Sequence, residues 1–214
     1  GLVADKAQLM EPSKCIGHGR CAVDCPVDAI KLVYGTLERG IDLPNTDESF
    51  ESARRGVYLI GEIVGMGLIR NCFVQGLELA DNLAEHTYTH DENKTDVLIV
   101  GSGPAGLACA IGASNLGLNY RIIEQGTLGG TVAHFPRNKI VMVDDFKIPG
   151  HGKIRRGSLS KEDLLNIFKS LANEFQISIE EHTRVTGING HDGKFEVITT
   201  RGTFQASKVV LAIG

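Results

Sequence analysis

Three glycines spaced as G-x-G-x-x-G form the first segment of the chain that could carry chemistry. The segment comprises Gly101, Ser102, Gly103, Pro104, Ala105 and Gly106. Gly101 permits a tight turn, Gly103 lets the backbone approach a pyrophosphate, and Gly106 lets a helix pack closely on a strand. The N-terminus of the following helix offers free N–H groups and partial positive charge to phosphates. Residue type and spacing therefore predict the pyrophosphate site of a bound dinucleotide.

The elements predicted around this glycine segment have the order that such a site requires. Apolar residues at 96–100 predict a buried strand, small residues at 104–116 predict a helix, and 120–124 predicts the next strand. Glu124 ends that strand 23 residues after Gly101, where a carboxylate can accept hydrogen bonds from an adenosine ribose. An ordinary glycine turn in a parallel α/β sheet is the simpler alternative, but it does not account for the acidic residue.

Four residues with metal-ligating side chains lie within eleven positions near the start of the chain. They are Cys15, His18, Cys21 and Cys25. Thiolates suit the soft iron of an iron-sulfur cluster, and the short spacing lets one loop wrap around it. Two hypotheses stay open: His18 ligates one iron of a 4Fe-4S cluster, or the thiolates alone hold a 3Fe-4S cluster. A zinc site or free thiols are the simpler alternatives.

The whole chain is predicted to be an α/β protein in three blocks. Residues 1–45 contain the cysteine cluster, and residues 46–94 contain an apolar strand at 57–60, a helix and a polar linker. Residues 95–214 form the largest block. It holds the glycine segment, a later helix and a final strand at 208–213. In this block Ser160 is predicted to cap the later helix, and three short β-like runs near 184–188, 194–199 and 203–206 follow it. Cys72 and Cys109 are predicted to be core residues.

Composition and charge narrow the class of protein. Hydrophobic residues make up 42% and charged residues 22% of the 214 residues, which is typical of a globular protein. The net charge of −4 gives no indication of a nucleic-acid partner, and no apolar run is long enough to span a membrane. Clustered cysteines indicate a reducing, cytoplasmic location. Because the chain opens on glycine and closes on a strand and a glycine turn, we expect a fragment of a longer protein.

The block 95–214 resembles the FAD domain of the pyridine nucleotide-disulfide oxidoreductase superfamily, in particular its thioredoxin-reductase-like branch. In that family a three-stranded meander follows the second helix, and the next strand ends in an Ala-Thr-Gly-like turn, which reads Ala212-Ile213-Gly214 here. The resemblance implies a Rossmann-like parallel sheet that binds FAD. Gly129, Gly130 and Thr131 stand where the family threads a loop along the flavin.

The segment 54–62 resembles the second FAD signature of the same family, G-V-Y followed by two apolar residues, glycine and aspartate. Gly61 and Glu62 take the last two places, with glutamate where aspartate is usual. The resemblance implies that the acidic residue contacts the ribityl chain and pyrophosphate. In ordinary members this signature comes last, whereas here it precedes Gly101. We expect a permuted FAD domain; the tail of a preceding flavoprotein module is the alternative.

The cysteine segment resembles a bacterial-type ferredoxin motif, with His18 in the second ligand position. It implies a small α+β ferredoxin-like module; in two-cluster ferredoxins the cysteine before proline serves the other cluster, which is a further possibility for Cys25.

The combined prediction is an oxidoreductase that passes electrons between FAD, reduced by NAD(P)H, and an iron-sulfur cluster. A non-enzymatic electron carrier or redox sensor is one alternative. A thiol/disulfide reductase or flavin monooxygenase with a degenerate ferredoxin module is another. The catalytic residues and the redox partner protein stay unassigned, and a homodimer stays open.

Overall fold

The computed structural model describes residues 2–3, 6–7, 21, 24–27, 29–30, 43–65, 67–86 and 95–214. The helices are α1 (Ile69–His86), α2 (Pro104–Asn115) and α3 (Lys161–Glu174), with 3-10 turns at Glu62–Val64 and Gly130–His134. The strands are β1 (Leu2–Val3), β2 (Lys6–Ala7), β3 (Val57–Leu59), β4 (Val97–Val100), β5 (Tyr120–Ile123), β6 (Ile140–Val143), β7 (Phe146–Ile148), β8 (Gly152–Ile154), β9 (Gly157–Ser160), β10 (Ile179–Glu180), β11 (Val185–His191), β12 (Lys194–Thr199), β13 (Gly202–Ala206) and β14 (Lys208–Leu211). No helix in the described ranges is long and apolar enough to cross a membrane.

A five-stranded parallel sheet forms the centre of the fold. Its order is β10-β5-β4-β14-β3, and every neighbouring pair runs parallel. All four residues of β4 are buried, as expected for a parallel strand covered on both faces. The predicted α/β class with a parallel sheet is therefore confirmed.

The edge strand β3 joins the sheet although it precedes the glycine segment in the chain. β3 pairs with β14 in the register Val209↔Val57. The side chain of Arg54, just before β3, donates to the backbone oxygens of Ile188 and Gly190 at 3.1 and 3.0 Å. A permuted domain predicts that strand 57–60 lies parallel to and beside strand 97–100 or strand 208–213, and the structure has the second arrangement.

Two layers cover the sheet, one on each face, and successive side chains of β4 point alternately into the two layers. Val97 and Ile99 pack in the cluster that includes the helices, whereas Leu98 and Val100 pack in the cluster that includes the meander β11–β12–β13. The meander is antiparallel throughout, and its three strands correspond to the three predicted β-like runs. Both faces of the sheet are therefore withdrawn from water, which is the main source of its stability.

Helices α1 and α2 pack in close contact because both carry glycine where they meet. A Cβ at Gly76 would collide with the carbonyl oxygen of Ala105, and one at Gly112 would lie 2.5 Å from the Cβ of Ala80. The small residues of α2 thus reflect its burial between α1 and the sheet.

Several predicted boundaries shift, and one region was not predicted. The sequence predicts that the helix after strand 57–60 begins near residue 65, with Leu68 among its apolar positions. In the structure α1 begins at Ile69, and Leu68 lies before it and is exposed. The cap of α3 is confirmed, because Ser160 Oγ accepts from the Asp163 N–H at 3.1 Å. The two hairpins over residues 140–160 have no counterpart in the prediction, since strands of three or four residues carry too little periodicity to stand out.

Candidate functional site

A cleft of about 560 Å³ lies at the carboxyl ends of the parallel strands. β3, β4, β5 and β14 end within two residues of lining positions, which include Gly61, Gly101, Glu124 and Ala212. In open α/β sheets this edge is where ligands bind. Two glycine segments separated by some 40 residues in the sequence therefore meet in one site.

Most of the predicted cofactor residues line this cleft, and the others lie behind its wall. The lining positions are Gly61, Glu62, Gly101, Gly103, Pro104, Ala105, Glu124, Gly130 and Thr131. The remaining three, Ser102, Gly106 and Gly129, do not line it. Ser102 and Gly129 join the two glycine loops by a backbone hydrogen bond, and Gly106 packs against Gly101.

The turn after β4 requires glycine at two positions and leaves space at a third. Gly101 has φ 104°, and a Cβ there would lie 2.6 Å from the carbonyl oxygen of Ala212. A Cβ at Gly106 would collide with the carbonyl oxygen of Gly101. At Gly103 the nearest atom to an added Cβ would be 3.9 Å away. The backbone at Gly103 thus faces open space in the cleft.

The N-terminus of α2 points into this space without a capping side chain. Gly103 is the N-cap residue, Pro104 follows it, and no acidic side chain lies in the first turn. The first N–H groups of a helix have no partner within the helix. Within the described chain, therefore, this end of α2 can receive an anion such as a pyrophosphate.

A second loop, residues 126–131, packs directly on the first. The Gly129 N–H donates to the Ser102 carbonyl oxygen at 3.0 Å. Gly129 adopts φ 106°, and a Cβ at Gly130 would lie 3.2 Å from the Gly103 nitrogen. This contact leaves no room for larger side chains between the loops.

The Glu124 carboxylate is buried between the two loops and is already hydrogen bonded. Its Oε2 accepts from the Ser102 N–H at 2.8 Å, and its Oε1 accepts from the Gly126 N–H at 2.8 Å. A carboxylate has about four lone-pair positions, so these bonds leave capacity for ribose hydroxyls. Glu124 therefore orders both loops as well as lining the cleft, a role that the sequence did not reveal.

The opposite wall is held in place by a buried amide. The Gly61 N–H donates to Gln75 Oε1 of α1 at 2.9 Å, and a Cβ at Gly61 would lie 3.1 Å from the Ala105 Cβ. Glu62, the next residue, is exposed in the cleft. Gln75 was not predicted as a site residue, because its contact with Gly61 forms only when α1 folds back on the turn.

Further lining residues also escaped prediction, since their roles depend on tertiary contacts. They include Ile69, His134, Phe135, Thr183, Arg184 and Ile188.

Cys72, predicted to be a core residue, is buried and also lines the cleft. Burial and the nearby Glu62 raise the pKa of the Cys72 thiol to about 12. It stays protonated at neutral pH, unlike reactive thiolates, whose pKa is lowered.

The predicted cluster ligands are only partly within the described residues. Cys21 is exposed and Cys25 is half-buried, and the Cys25 sulfur accepts a hydrogen bond from the Ala29 N–H, whereas Cys15 and His18 lie outside the described residues. Among the residues described, no group of three or more His, Cys, Asp or Glu could hold a metal ion. The cluster therefore stays a prediction from the motif.

Comparison with known proteins assigns the block that carries this cleft. Residues 98–214 match the sequence profile described as pyridine nucleotide-disulphide oxidoreductase. The chain belongs to this family. This membership agrees with the parallel sheet and the glycine loops described above.

Individual relatives match about half of the chain. A ferredoxin–NADP reductase from Rickettsia prowazekii is 31% identical over 119 residues, which cover 55% of this chain and 33% of the relative. One from Levilactobacillus brevis is 28% identical over 121 residues, covering 56% and 34%. The chain spans about a third of the length of these curated relatives. A solved bacillithiol disulfide reductase from Staphylococcus aureus shares the fold, with a TM-score of 0.52, 20% identity, and coverage of 56% of this chain and 38% of that one.

Proposed function

We propose that this chain is the FAD-binding part of an NAD(P)H-linked oxidoreductase. FAD binding is expected for the family to which residues 98–214 belong. The pyrophosphate of FAD would lie at Gly103 and the N-terminus of α2, and the adenosine ribose at Glu124. The ribityl chain and flavin would lie toward Gly61 and Glu62. The FAD would supply the redox chemistry by accepting a hydride from a reduced nicotinamide and passing electrons on.

One observation carries this proposal: both predicted flavin signatures meet in the same cleft. A generic glycine turn after β4 gives no reason for Gly61 and Glu62, which precede it in the chain, to line the same space. The parallel pairing of β3 with β14 brings them there. This arrangement supports the permuted organisation, in which 46–94 supplies the closing strand and helix of the FAD domain whose main part is 95–214.

The residues of the cleft would bind, orient and shield the cofactor. The α2 N-terminus would offset the negative charge of the phosphates, and Glu124 would orient the ribose while it holds both glycine loops. The apolar side chains of Ile69 and Phe135 would exclude water from part of the cleft. None of these roles requires a side chain to gain or lose a proton. The residues of the cleft would therefore hold the cofactor, and the FAD would supply the redox chemistry.

We further propose that residues 1–45 form a ferredoxin-like module whose cluster exchanges electrons with the FAD. Support comes from the spacing of Cys15, His18, Cys21 and Cys25 and the proline that follows. The relatives from Rickettsia prowazekii and Levilactobacillus brevis are named ferredoxin–NADP reductases. An iron-sulfur electron partner, either within this chain or as a separate protein, is consistent with that chemistry.

Spectroscopy and metal analysis of the purified chain test the two halves of the proposal separately. FAD reconstitution should give one flavin per chain, measured by absorbance after release from the denatured protein. Iron and acid-labile sulfide, measured after anaerobic reconstitution, should be present in amounts close to those of one cluster. A chain that takes up no flavin refutes the FAD site. A chain that takes up flavin but no iron refutes only the cluster module.

The substitution His18→Cys tests how the cluster is held. If His18 ligates iron, the wild type and the variant should both show a four-iron signal, and the potential of the variant should be lower because a thiolate adds negative charge. If His18 does not ligate, the wild type should show a three-iron signal by electron paramagnetic resonance, and the variant should convert it to a four-iron signal.

A further inference from the structure

Two small hairpins carry a positive charge that the rest of the chain lacks. Residues 137–161, which contain β6 to β9, include seven Lys or Arg and two Asp, a net charge of +5. The rest of the chain has 15 basic and 24 acidic residues, a net charge of −9. Residues 137–161 are named the basic hairpin surface below.

The two acidic residues of this surface do not neutralise it. Asp144 pairs with Arg156 at 2.6 Å, and Asp145 pairs with Lys153 at 2.6 Å. Three further exposed cations have no carboxylate within ion-pair distance among the residues that the structure describes: Arg137, Lys147 and Arg155. Positive charge therefore remains available to a partner.

Lys147, one of these cations, stands across a strand pair from Lys153, whose ammonium group pairs with Asp145. Lys147 of β7 is the register partner of Lys153 of β8, and both side chains are exposed. Like charges directly opposite each other destabilise a strand pair. The hairpin keeps this repulsion on its solvent face, which an acidic partner would relieve.

An exposed apolar pair lies on β6, within the same segment 137–161. Ile140 and Met142 of β6 are 62% and 83% exposed, and both point to the same face because they are two residues apart. Their register partners on β9 are Ser160 and Ser158, which leave the apolar side chains uncovered. Exposed methionine and large apolar side chains are enriched at protein contact surfaces.

The basic hairpin surface adjoins the cleft at two points. Lys139 Nζ lies 3.8 Å from the ring centroid of Phe135, which lines the cleft. Arg70 Nε donates to the Asp145 carbonyl oxygen at 3.2 Å, and the residue before it, Ile69, also lines the cleft. A protein bound to the hairpins would therefore sit beside the cleft.

We propose that the basic hairpin surface docks an acidic, iron-sulfur electron-carrier protein next to the flavin cleft. The inference rests on the proposed function for the nature of the partner, and on the hairpins for its place and charge. Positive charge steers an acidic partner to this face, and Ile140 and Met142 supply the contact from which water is excluded. On this proposal, the electron-transfer partner binds the face of the molecule that carries the basic hairpin surface.

Titration calorimetry with an acidic bacterial 4Fe-4S ferredoxin as the probe tests this docking surface. The full 214-residue chain, reconstituted with FAD, is expected to bind with a Kd that rises with salt. Lys147→Glu combined with Arg155→Glu should weaken binding about tenfold at low ionic strength, as expected for the reversal of two exposed charges. Met142→Ser should weaken binding severalfold without changing the salt dependence.

A matched double variant separates the surface from the overall charge. Lys169→Glu combined with Lys194→Glu changes the net charge equally at exposed positions outside the hairpins, and its Kd should stay within about twofold of wild type. Lys147→Glu alone should raise Tm, because it places opposite charges across β7 and β8. That gain distinguishes lost docking from lost folding.

Three results would overturn the docking surface. They are equal weakening by both double variants, a Kd independent of salt, and binding to phosphatidylglycerol vesicles or duplex DNA without binding to the ferredoxin. Flavin content is measured on the same samples. Retained flavin with no ferredoxin binding refutes the docking surface alone, whereas failure to take up FAD refutes the proposed function.

Discussion

Replacing Gly103 by valine tests the phosphate position of the cleft with little disturbance of the fold. Gly103 has φ −67°, a conformation that valine can adopt. The nearest atom to an added Cβ would be the Gly129 carbonyl oxygen at 3.9 Å, so the folded chain has room for the start of the side chain. The branched methyl groups would instead occupy the space in front of the α2 N-terminus, where the proposal puts the pyrophosphate.

The expected loss follows from the bonds that valine would block. Two hydrogen bonds from backbone N–H groups to a charged phosphate contribute roughly 1.5–3 kcal/mol each. Losing both weakens FAD binding by about 3–6 kcal/mol, or roughly 10²- to 10⁴-fold. The free energy of unfolding of the flavin-free chain should change by about 1 kcal/mol or less, because no close contact is made.

Flavin stoichiometry after reconstitution and the Kd from quenching of FAD fluorescence measure this effect. Gly157→Val is the matched control, because an added Cβ there meets nothing within 4 Å and the residue lies in β9, outside the cleft lining. The control should bind FAD like the wild type. If Gly103→Val keeps a full complement of flavin while it unfolds at the wild-type temperature, the phosphate position is wrong.

Three further predictions concern the walls of the cleft. Gly106→Ala should destabilise the chain by about 1–3 kcal/mol, because its Cβ collides with the Gly101 carbonyl oxygen; an unchanged Tm by circular dichroism would contradict this packing. Gln75→Leu should lower the free energy of unfolding by about 1–3 kcal/mol, since it leaves the buried Gly61 N–H without its acceptor; Gln75→Glu keeps an acceptor and should cost less in urea denaturation. Cys72 should resist iodoacetamide at pH 8 in the folded chain, because its pKa is raised to about 12; rapid labelling of its peptide, seen by mass spectrometry, would show that the thiol is accessible and ionised.

Elements governed by local sequence were the ones that could be predicted. The strand that becomes β4 is a continuous apolar run, and the turn after it needs glycine at Gly101 whatever lies elsewhere in the chain. Ser160 caps α3 through a bond to a residue three positions away. In each case the deciding contacts lie within a few residues, so residue type and spacing carry the information.

Contacts between distant segments could not be predicted in the same way. β6 pairs with β9 only because residues 144–156 fold back as a second hairpin, and Gln75 meets Gly61 only because α1 reverses direction over the sheet. The carboxylate of Glu124 was predicted to bind ribose, but its bonds to both glycine loops emerge from the approach of 126–131.

The sequence by itself determined the chemistry of the glycine segment, because the requirements for a tight turn, an open approach and close helix packing fall on Gly101, Gly103 and Gly106 alone. The resemblance predicted Gly61 and Glu62 as flavin contacts, but only the tertiary structure decided that they line the same cleft as Gly101. Their place depends on which strand β3 joins, and that choice is made by burial of its apolar residues against β14 rather than by any signal within the segment. A parallel sheet collects the ends of its strands at one edge whatever their order in the chain, so segments 40 residues apart form one cleft.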